Sequence, residues 1–268
     1  ASNGVTTVVM GNCGVGFAPV RPGDEAGLID LMEGVEDIPG AALSDGMPWG
    51  RWESFGEYLD VLDERSYAVE VGTHVAHGAL RYYVMGDRGV ANEDATGDDL
   101  AAMASLTTEA LRAGALGVST SRTIGHRSSS GQPVPGTFAA ADELRALADA
   151  IGDAGHGVFE AILAGTIGKL PGLGGEAATP LEELPLLAEV SRRGRCASTF
   201  TVAQLFEDPG HWRLVLDAAA EANAKGARLH PQVISRSVTI MSSLGTYHLF
   251  EGRPSYEAIA HLPLPERV

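Results

Sequence analysis

An α/β fold on a parallel sheet is what this chain predicts, and two observations carry the prediction. Short β-branched or apolar runs alternate strictly with amphipathic helical segments, and those segments carry recognisable start and stop signals. The strand-like runs are residues 5–10, 67–75, 116–120, 157–162, 197–202 and 228–233. Short apolar runs of this kind suit parallel strands buried on both faces. Repeated strand–helix units with right-handed crossovers yield either a barrel or an open doubly wound sheet, and pattern alone does not separate the two.

The helices between the runs follow from their caps. Thr96 precedes Asp98 and Asp99, acids that oppose the positive end of a helix dipole, and Leu100, Met103, Leu106, Ala110 and Leu111 then form one stripe ending at Gly114. Asp142 opens a second helix with Leu144, Leu147, Ala148 and Ile151 inward and Gly155 after it. Thr179-Pro180 and Asp208-Pro209 each predict a helix with proline at its first position, the latter burying Trp212, Val215, Leu216 and Ala219. Two longer connections follow strands: residues 17–58, rich in Gly, Pro and acids with Trp49 and Trp52, and residues 121–138. Loops after strands build sites in both architectures.

Composition narrows the function. Of 268 residues, 44% are hydrophobic and 20% charged, an ordinary globular balance. A formal charge of -16 repels nucleic acid and anionic membrane, so neither is expected as a partner. No apolar stretch is long enough to span a bilayer. Cys13 and Cys196 form no zinc-type Cys-x-x-Cys pair and suggest no secreted disulfide scaffold; a cytoplasmic location is the expectation.

The residues with chemical promise sit at strand ends. Gly11-Asn12-Cys13-Gly14-Val15-Gly16 follows the first run directly. A nucleotide-binding turn would require G-x-G-x-x-G and a helix N-terminus behind it; here the third glycine position holds Pro19. A cysteine between glycines at a strand end can present a thiolate to a borderline metal such as zinc, or serve as a small buried hydrophobe. Glu160 ends the fourth run, as a metal ligand or as a buried carboxylate paired with an arginine.

Residues 5–19, Val5-Thr6-Thr7-Val8-Val9-Met10-Gly11-Asn12-Cys13-Gly14-Val15-Gly16-Phe17-Ala18-Pro19, resemble the second barrel strand of the N-acyl-D-amino-acid deacylases (D-aminoacylases) of the amidohydrolase superfamily. His77-Gly78-Ala79-Leu80-Arg81, the helix start at 95–103 and Gly114-Ala115-Leu116-Gly117-Val118-Ser119-Thr120 resemble further blocks of that family. The resemblance implies a TIM-type (β/α)8 barrel joined to a small β-domain. Residues 1–268 would be one catalytic barrel domain, an incomplete fragment holding about strands two to seven and prone to aggregate through its exposed edges. It implies that Cys13 ligates zinc and that a metal-activated water attacks the acyl amide of a small-molecule substrate. The family's His-x-His pair would lie upstream and its general-base aspartate beyond Val268. Where the family has zinc-binding histidines on its fifth and sixth strands, this chain has Glu160 and Gln204 as the strong polar groups.

The expected site therefore comprises Cys13 and Glu160 on the metal, with His77, His230, Gln232 and Arg236 toward substrate. Cys13, Glu160, Gln204 and His230 should share the mouth formed by the C-terminal strand ends. Arg236 would suit a substrate carboxylate, or a loop salt bridge. The expected activity is hydrolysis of a non-peptide C–N bond, namely deacylation of N-acyl-D-amino acids or a related carboxamide. The alternative is a non-catalytic paralogue that binds an acyl-amino-acid-like or cyclic amide ligand.

Overall fold

The computed structural model describes residues 3–205, 207–234, 244, 250 and 253–268. Its strands are β1 (Thr7–Met10), β2 (Glu70–Thr73), β3 (Val75–Ala76), β4 (Gly117–Ser121), β5 (Val158–Ile162), β6 (Ala197–Thr201) and β7 (Leu229–Gln232). All pairings are parallel, in the orders β1-β2 and β3-β4-β5-β6-β7. Only His74 separates β2 from β3. The His74 amide donates to the Met10 carbonyl, and the Leu116 amide to the Thr73 carbonyl, so one stretch of chain pairs first with β1 and then with β4. Every strand thus neighbours the next in sequence. That is the order of a barrel wall and not of a doubly wound sheet, whose order reverses at a switch point. The molecule is a partial parallel α/β barrel.

The helices are α1 (Glu25–Glu36), α2 (Gly40–Gly46), α3 (Phe55–Asp63), α4 (His77–Met85), α5 (Asp87–Val90), α6 (Gly97–Ala113), α7 (Ala141–Ala154), α8 (Pro180–Arg193), α9 (His211–Ala224), α10 (Pro254–Glu257) and α11 (Leu264–Arg267). α6 packs on α7, α7 on α8 and α8 on α9, a layer outside the strands. Thr96 and Thr179 cap α6 and α8 through reciprocal bonds with Asp99 and Glu182, as their sequences predict. Leu144, Leu147, Ala148 and Ile151 are all buried along α7.

Two expectations need correction. Residues 17–58 are not a long loop: they fold into α1 and α2 and lead into α3, whose cap is Ser54. Spacing by Gly, Pro and acids hid these short helices. The helix expected to begin at Pro209 begins at His211 with Gly210 as its cap; Val215 and Ala219 are buried as predicted, while Trp212 and Leu216 are only partly so.

The register explains how the strands divide their labour. Val75, Val118, Phe159, Ser198 and Leu229 lie in one row and are all buried. The next row, Ala76, Ser119, Glu160, Thr199 and His230, points to the opposite face because side chains alternate along a strand. That second face is polar, and it opens progressively from buried Ser119 to exposed His230. The sheet is therefore covered by helices on one face only toward β7, where the sequence pattern suggested burial on both.

Candidate functional site

The chain leaves β1 through a tight turn that Gly11, Cys13 and Gly14 enter in left-handed conformation, with φ of 77°, 58° and 71°. Glycine is required at two of these positions by space as well as by φ. A Cβ on Gly11 would lie 2.6 Å from the His74 carbonyl oxygen, and one on Gly14 would lie 2.8 Å from the Ser121 nitrogen. Cys13 adopts the same region with a side chain, so something must hold it there.

Two residues of the polar row do so. The Cys13 amide donates to Glu160 Oε2 at 3.3 Å, and the Gly14 amide donates to Ser119 Oγ at 3.2 Å. The Ser119 hydroxyl in turn donates to the Gly11 carbonyl. Ser119 and Glu160 are direct partners in the β4–β5 register, so one rung of the sheet clamps both ends of the turn. No helix follows this turn until Glu25, so it offers no helix N-terminus to a pyrophosphate.

Electrostatics set the protonation of this corner. Burial pushes the Cys13 thiol well above its ordinary range, and the carboxylates of Glu36 and Glu160 push it further. Burial raises Glu160 to about 8; the Cys13 amide opposes that shift and the charge of Glu36 adds to it. Both groups therefore hold protons at neutral pH. A thiol and a carboxyl that lack a compensating cation behave in this way, and a bound cation inverts it. Their chemistry fits zinc, which accepts thiolate and carboxylate ligands. Among the described residues, no three His, Cys, Asp or Glu side chains are placed to hold a metal ion.

The other expected site residues fall in different places. His230 lies two strands from Glu160 in the same row, about 10 Å away by strand spacing, and is exposed. Gln232 lies one step further along the same face and is exposed, as is Gln204 beyond β6. Arg236 lies outside the described residues. His77 is placed away from this face. It is fully buried at the start of α4, with Nδ1 at 2.8 Å from Thr120 Oγ1 and Nε2 at 2.7 Å from Glu143 Oε1. Glu143 also accepts from Arg81 Nη1 at 2.6 and 2.5 Å. Burial alone would raise Glu143, but the bonds and charges of His77 and Arg81 prevail and hold it at about 2. Both nitrogens of His77 are thus engaged on the helix side of β4, which is a packing and not a substrate-contacting arrangement.

Sequence reasoning missed three contributors: Ser119, Glu36 and His74. A cavity of about 320 Å³ adjoins the Cys13 turn, and Glu36 and His74 line it with Asn12, Phe17, Phe55 and Tyr58. His74 is buried, and burial lowers its pKa to about 4. The aromatic side of the cavity is braced by rings in edge-to-face and tilted contact, Phe17 with Trp49 at 5.6 Å, Trp49 with Trp52 at 5.2 Å and Trp52 with Tyr58 at 5.3 Å between centroids. The Trp52 indole also donates to the Phe17 carbonyl at 2.7 Å. The two tryptophans in the 17–58 segment were its only signal.

Known proteins resemble this chain along most of its length. Residues 1–243 match the model of the amidohydrolase family. A D-aminoacylase of Alcaligenes xylosoxydans xylosoxydans is 39% identical over 119 residues, 44% of this chain and 22% of the relative. An N-acyl-D-aspartate deacylase of the same organism is 40% identical over 119 residues, 44% of this chain and 21% of the relative. The solved structure of a D-aminoacylase studied for its binuclear metal centre superimposes with a TM-score of 0.62 at 25% identity, covering 87% of this chain and 42% of that one. The N-acyl-D-glutamate deacylase of Bordetella bronchiseptica, solved with zinc and a phosphonate inhibitor, gives 0.61 at 24% identity with the same coverage. The chain thus spans less than half the length of these relatives. With the barrel order of its strands, and with the family model matching 243 of its residues, the chain belongs to the amidohydrolase family.

Proposed function

We propose that the protein containing this chain hydrolyses a non-peptide amide bond, deacylating N-acyl-D-amino acids or a related carboxamide, and that residues 1–268 are part of its catalytic barrel. The observation that carries this reading is the contact between Cys13, in the turn at the C-terminal end of β1, and Glu160 of β5, on the strand-end side where barrel enzymes keep their chemistry. Two relatives, 39% and 40% identical over 119 residues, are a D-aminoacylase and an N-acyl-D-aspartate deacylase, and a solved neighbour was crystallised with zinc.

In this reading Cys13 and Glu160 are two ligands of a zinc ion, completed by donors outside the described residues. When bound, zinc would supply a water with a pKa lowered to about 7 and a positive charge for the amide carbonyl oxygen. Ser119 and the Glu160 carboxylate fix the backbone that carries the thiol. Cys13 and Glu160, protonated without a cation, would give up their protons to hold one, so metal uptake would release protons. His230 and Gln232, on the same open face, are substrate contacts, with Arg236 after them on the chain as partner for a substrate carboxylate.

The second reading, a paralogue that binds an acyl-amino-acid-like ligand without turnover, is favoured by one observation: no third metal donor joins Cys13 and Glu160 among the described residues. Metal analysis of the intact protein, paired with an assay on N-acetyl-D- and N-acetyl-L-amino acids, separates the two. Stoichiometric zinc and hydrolysis of the D-series are expected. Metal-free protein that binds these compounds without cleaving them would replace the hydrolase reading with the second one.

A further inference from the structure

Helix α1 stands between the Cys13 turn and the loop of residues 121–138. Met32 and Glu36, one turn apart, line the cavity beside the Cys13 turn, and Glu36 hydrogen-bonds the Cys13 thiol. Asp30 and Gly34 form another one-turn pair. Two residues along a helix rotate the side chain by about 200°, so this pair lies on the opposite face. That face meets the loop. The Ser129 amide donates to the Asp30 carbonyl at 3.0 Å, the Ser130 hydroxyl donates to Asp30 Oδ2 at 3.0 Å, and the Ser129 hydroxyl donates to Asp30 Oδ1. Gly34 lies so close that a Cβ there would overlap the Arg127 carbonyl oxygen and the Ser128 carbonyl carbon. Two backbones approach in this way only where one of them carries no side chain.

The loop is itself a fixed base. Asn92 clamps one end of it, donating to the Pro133 carbonyl at 3.3 Å and accepting from the Gly136 amide at 2.9 Å. Glu176, from the segment after β5, accepts from the Ile124 amide at 3.1 Å and from the Thr123 hydroxyl. The Arg127 guanidinium donates to three backbone carbonyls, those of Ile124 at 2.9 Å, Gly131 at 2.8 Å and Leu173 at 3.2 Å. Ser121, the last residue of β4, bonds His126 Nδ1 at 2.9 Å and closes the other end. A loop whose polar groups are satisfied by several neighbouring elements opens rarely, so α1 takes its position from where it is fastened to that loop.

We propose that Asp30 is a positioning residue for the Cys13 corner: by fastening α1 to the loop of residues 121–138 it holds Glu36 over the Cys13 thiol; that this serves catalysis rests on the deacylase reading. Asp30 acts through Glu36, six residues further along the same helix. The turn after β1 is thereby tied to a contact between two strand-following segments, made across 99 residues of sequence.

The test uses the intact protein, freed of metal, and reads iodoacetamide alkylation of Cys13 by mass spectrometry with buried Cys196 as internal control. Asp30→Ala removes both side-chain bonds of the contact and should speed alkylation of Cys13 about five- to tenfold while leaving Cys196 unchanged. The double variant Ser129→Ala with Ser130→Ala removes the same two bonds from the exposed side and should give the same acceleration. Adding Asp30→Ala to it should change nothing more, because the bonds are already gone. Asp30→Asn, whose amide oxygen still accepts from a serine hydroxyl, should return the rate most of the way to wild type. Unchanged Cys13 rates in Asp30→Ala and in the serine variant, or acceleration of Cys13 and Cys196 together, overturns the proposal. On the deacylase reading, Asp30→Ala should also lower kcat about tenfold and leave KM for N-acetyl-D-leucine within about twofold. If Cys13 is uncovered as expected but wild type cleaves no N-acyl-D-amino acid, that reading fails and the positioning of the thiol stands. If wild type cleaves and Asp30→Ala keeps full kcat, the positioning role fails alone.

Discussion

The backbone amide of Cys13 donates to the carboxylate of Glu160 at 3.3 Å, across 147 residues of sequence. The contact joins the turn after β1 to the middle of β5, and it ties the conformation of Cys13 to the charge of Glu160. A protonated Glu160 still accepts this bond, but an ionised one accepts it more strongly. The two residues are therefore coupled in geometry and in titration, and each can be tested through the other.

Glu160 makes the metal-free protein sensitive to alkali. Its folded pKa is raised to about 8 against an ordinary 4.5, so the folded state binds the extra proton between those values. The stabilisation this gives is present below about 4.5 and is lost as pH rises through about 8. Urea unfolding of metal-free protein should show stability falling by a few kcal/mol over that window, to order of magnitude. Glu160→Gln keeps the acceptor and removes the titration, so its profile should be flatter. A wild-type profile as flat as the variant's would show that Glu160 is ionised throughout.

Cys13→Ala separates ligation from packing. If the thiol holds metal, the intact variant should lose most of its zinc and at least about a hundredfold in deacylase rate, because the metal generates the nucleophile. Retention of full metal content and full rate would reduce Cys13 to a small hydrophobe in a turn.

The strands and most helices were legible because each is a local pattern: a β-branched run, a cap, an apolar stripe. Cys13 was legible because glycines on either side isolate it at a strand end. Ser119 was not, since its role depends on which residue of β4 faces Glu160, and register is invisible without the partner strand. Glu36 was hidden because it ends a helix inside a segment that read as loop. His74 lies within the strand-like run 67–75 and carries no signal of its own there; its position between β2 and β3, where the strand changes partners, is what lines the cavity with it. His77 fell on the other side because it begins α4 two residues after Val75, facing Thr120 and α7.

Glu143→Ala should be among the most damaging single changes. It removes the carboxylate from Arg81, which is 1% exposed, and from His77, leaving a buried guanidinium without its counter-ion. Breaking a buried pair in this way costs about 3–5 kcal/mol. The pH dependence has the opposite sign to that of Glu160. With a folded pKa of about 2 against an ordinary 4.5, the stabilisation from Glu143 is present above about 4.5 and is lost as pH falls toward 2. Denaturation at pH 7 should show the loss in the variant, and the gap between variant and wild type should narrow on acidification.

Ser119→Ala tests whether the turn is held from the sheet. The hydroxyl is fully buried; it accepts from the Gly14 amide and donates to the Gly11 carbonyl, so its removal leaves two backbone groups without that partner. The cost should be about 1–3 kcal/mol in global stability. A purely structural residue would do no more. If Ser119 positions Cys13, the variant should also alkylate several-fold faster at Cys13, because the left-handed conformation of that residue relaxes once one end of the clamp is gone. The thiol of Cys196, buried and distant in sequence, is the internal control and should not change. Mass spectrometry of the alkylated protein reads both sites at once. Equal rates at Cys13 in variant and wild type would assign the clamp to the Glu160 contact alone.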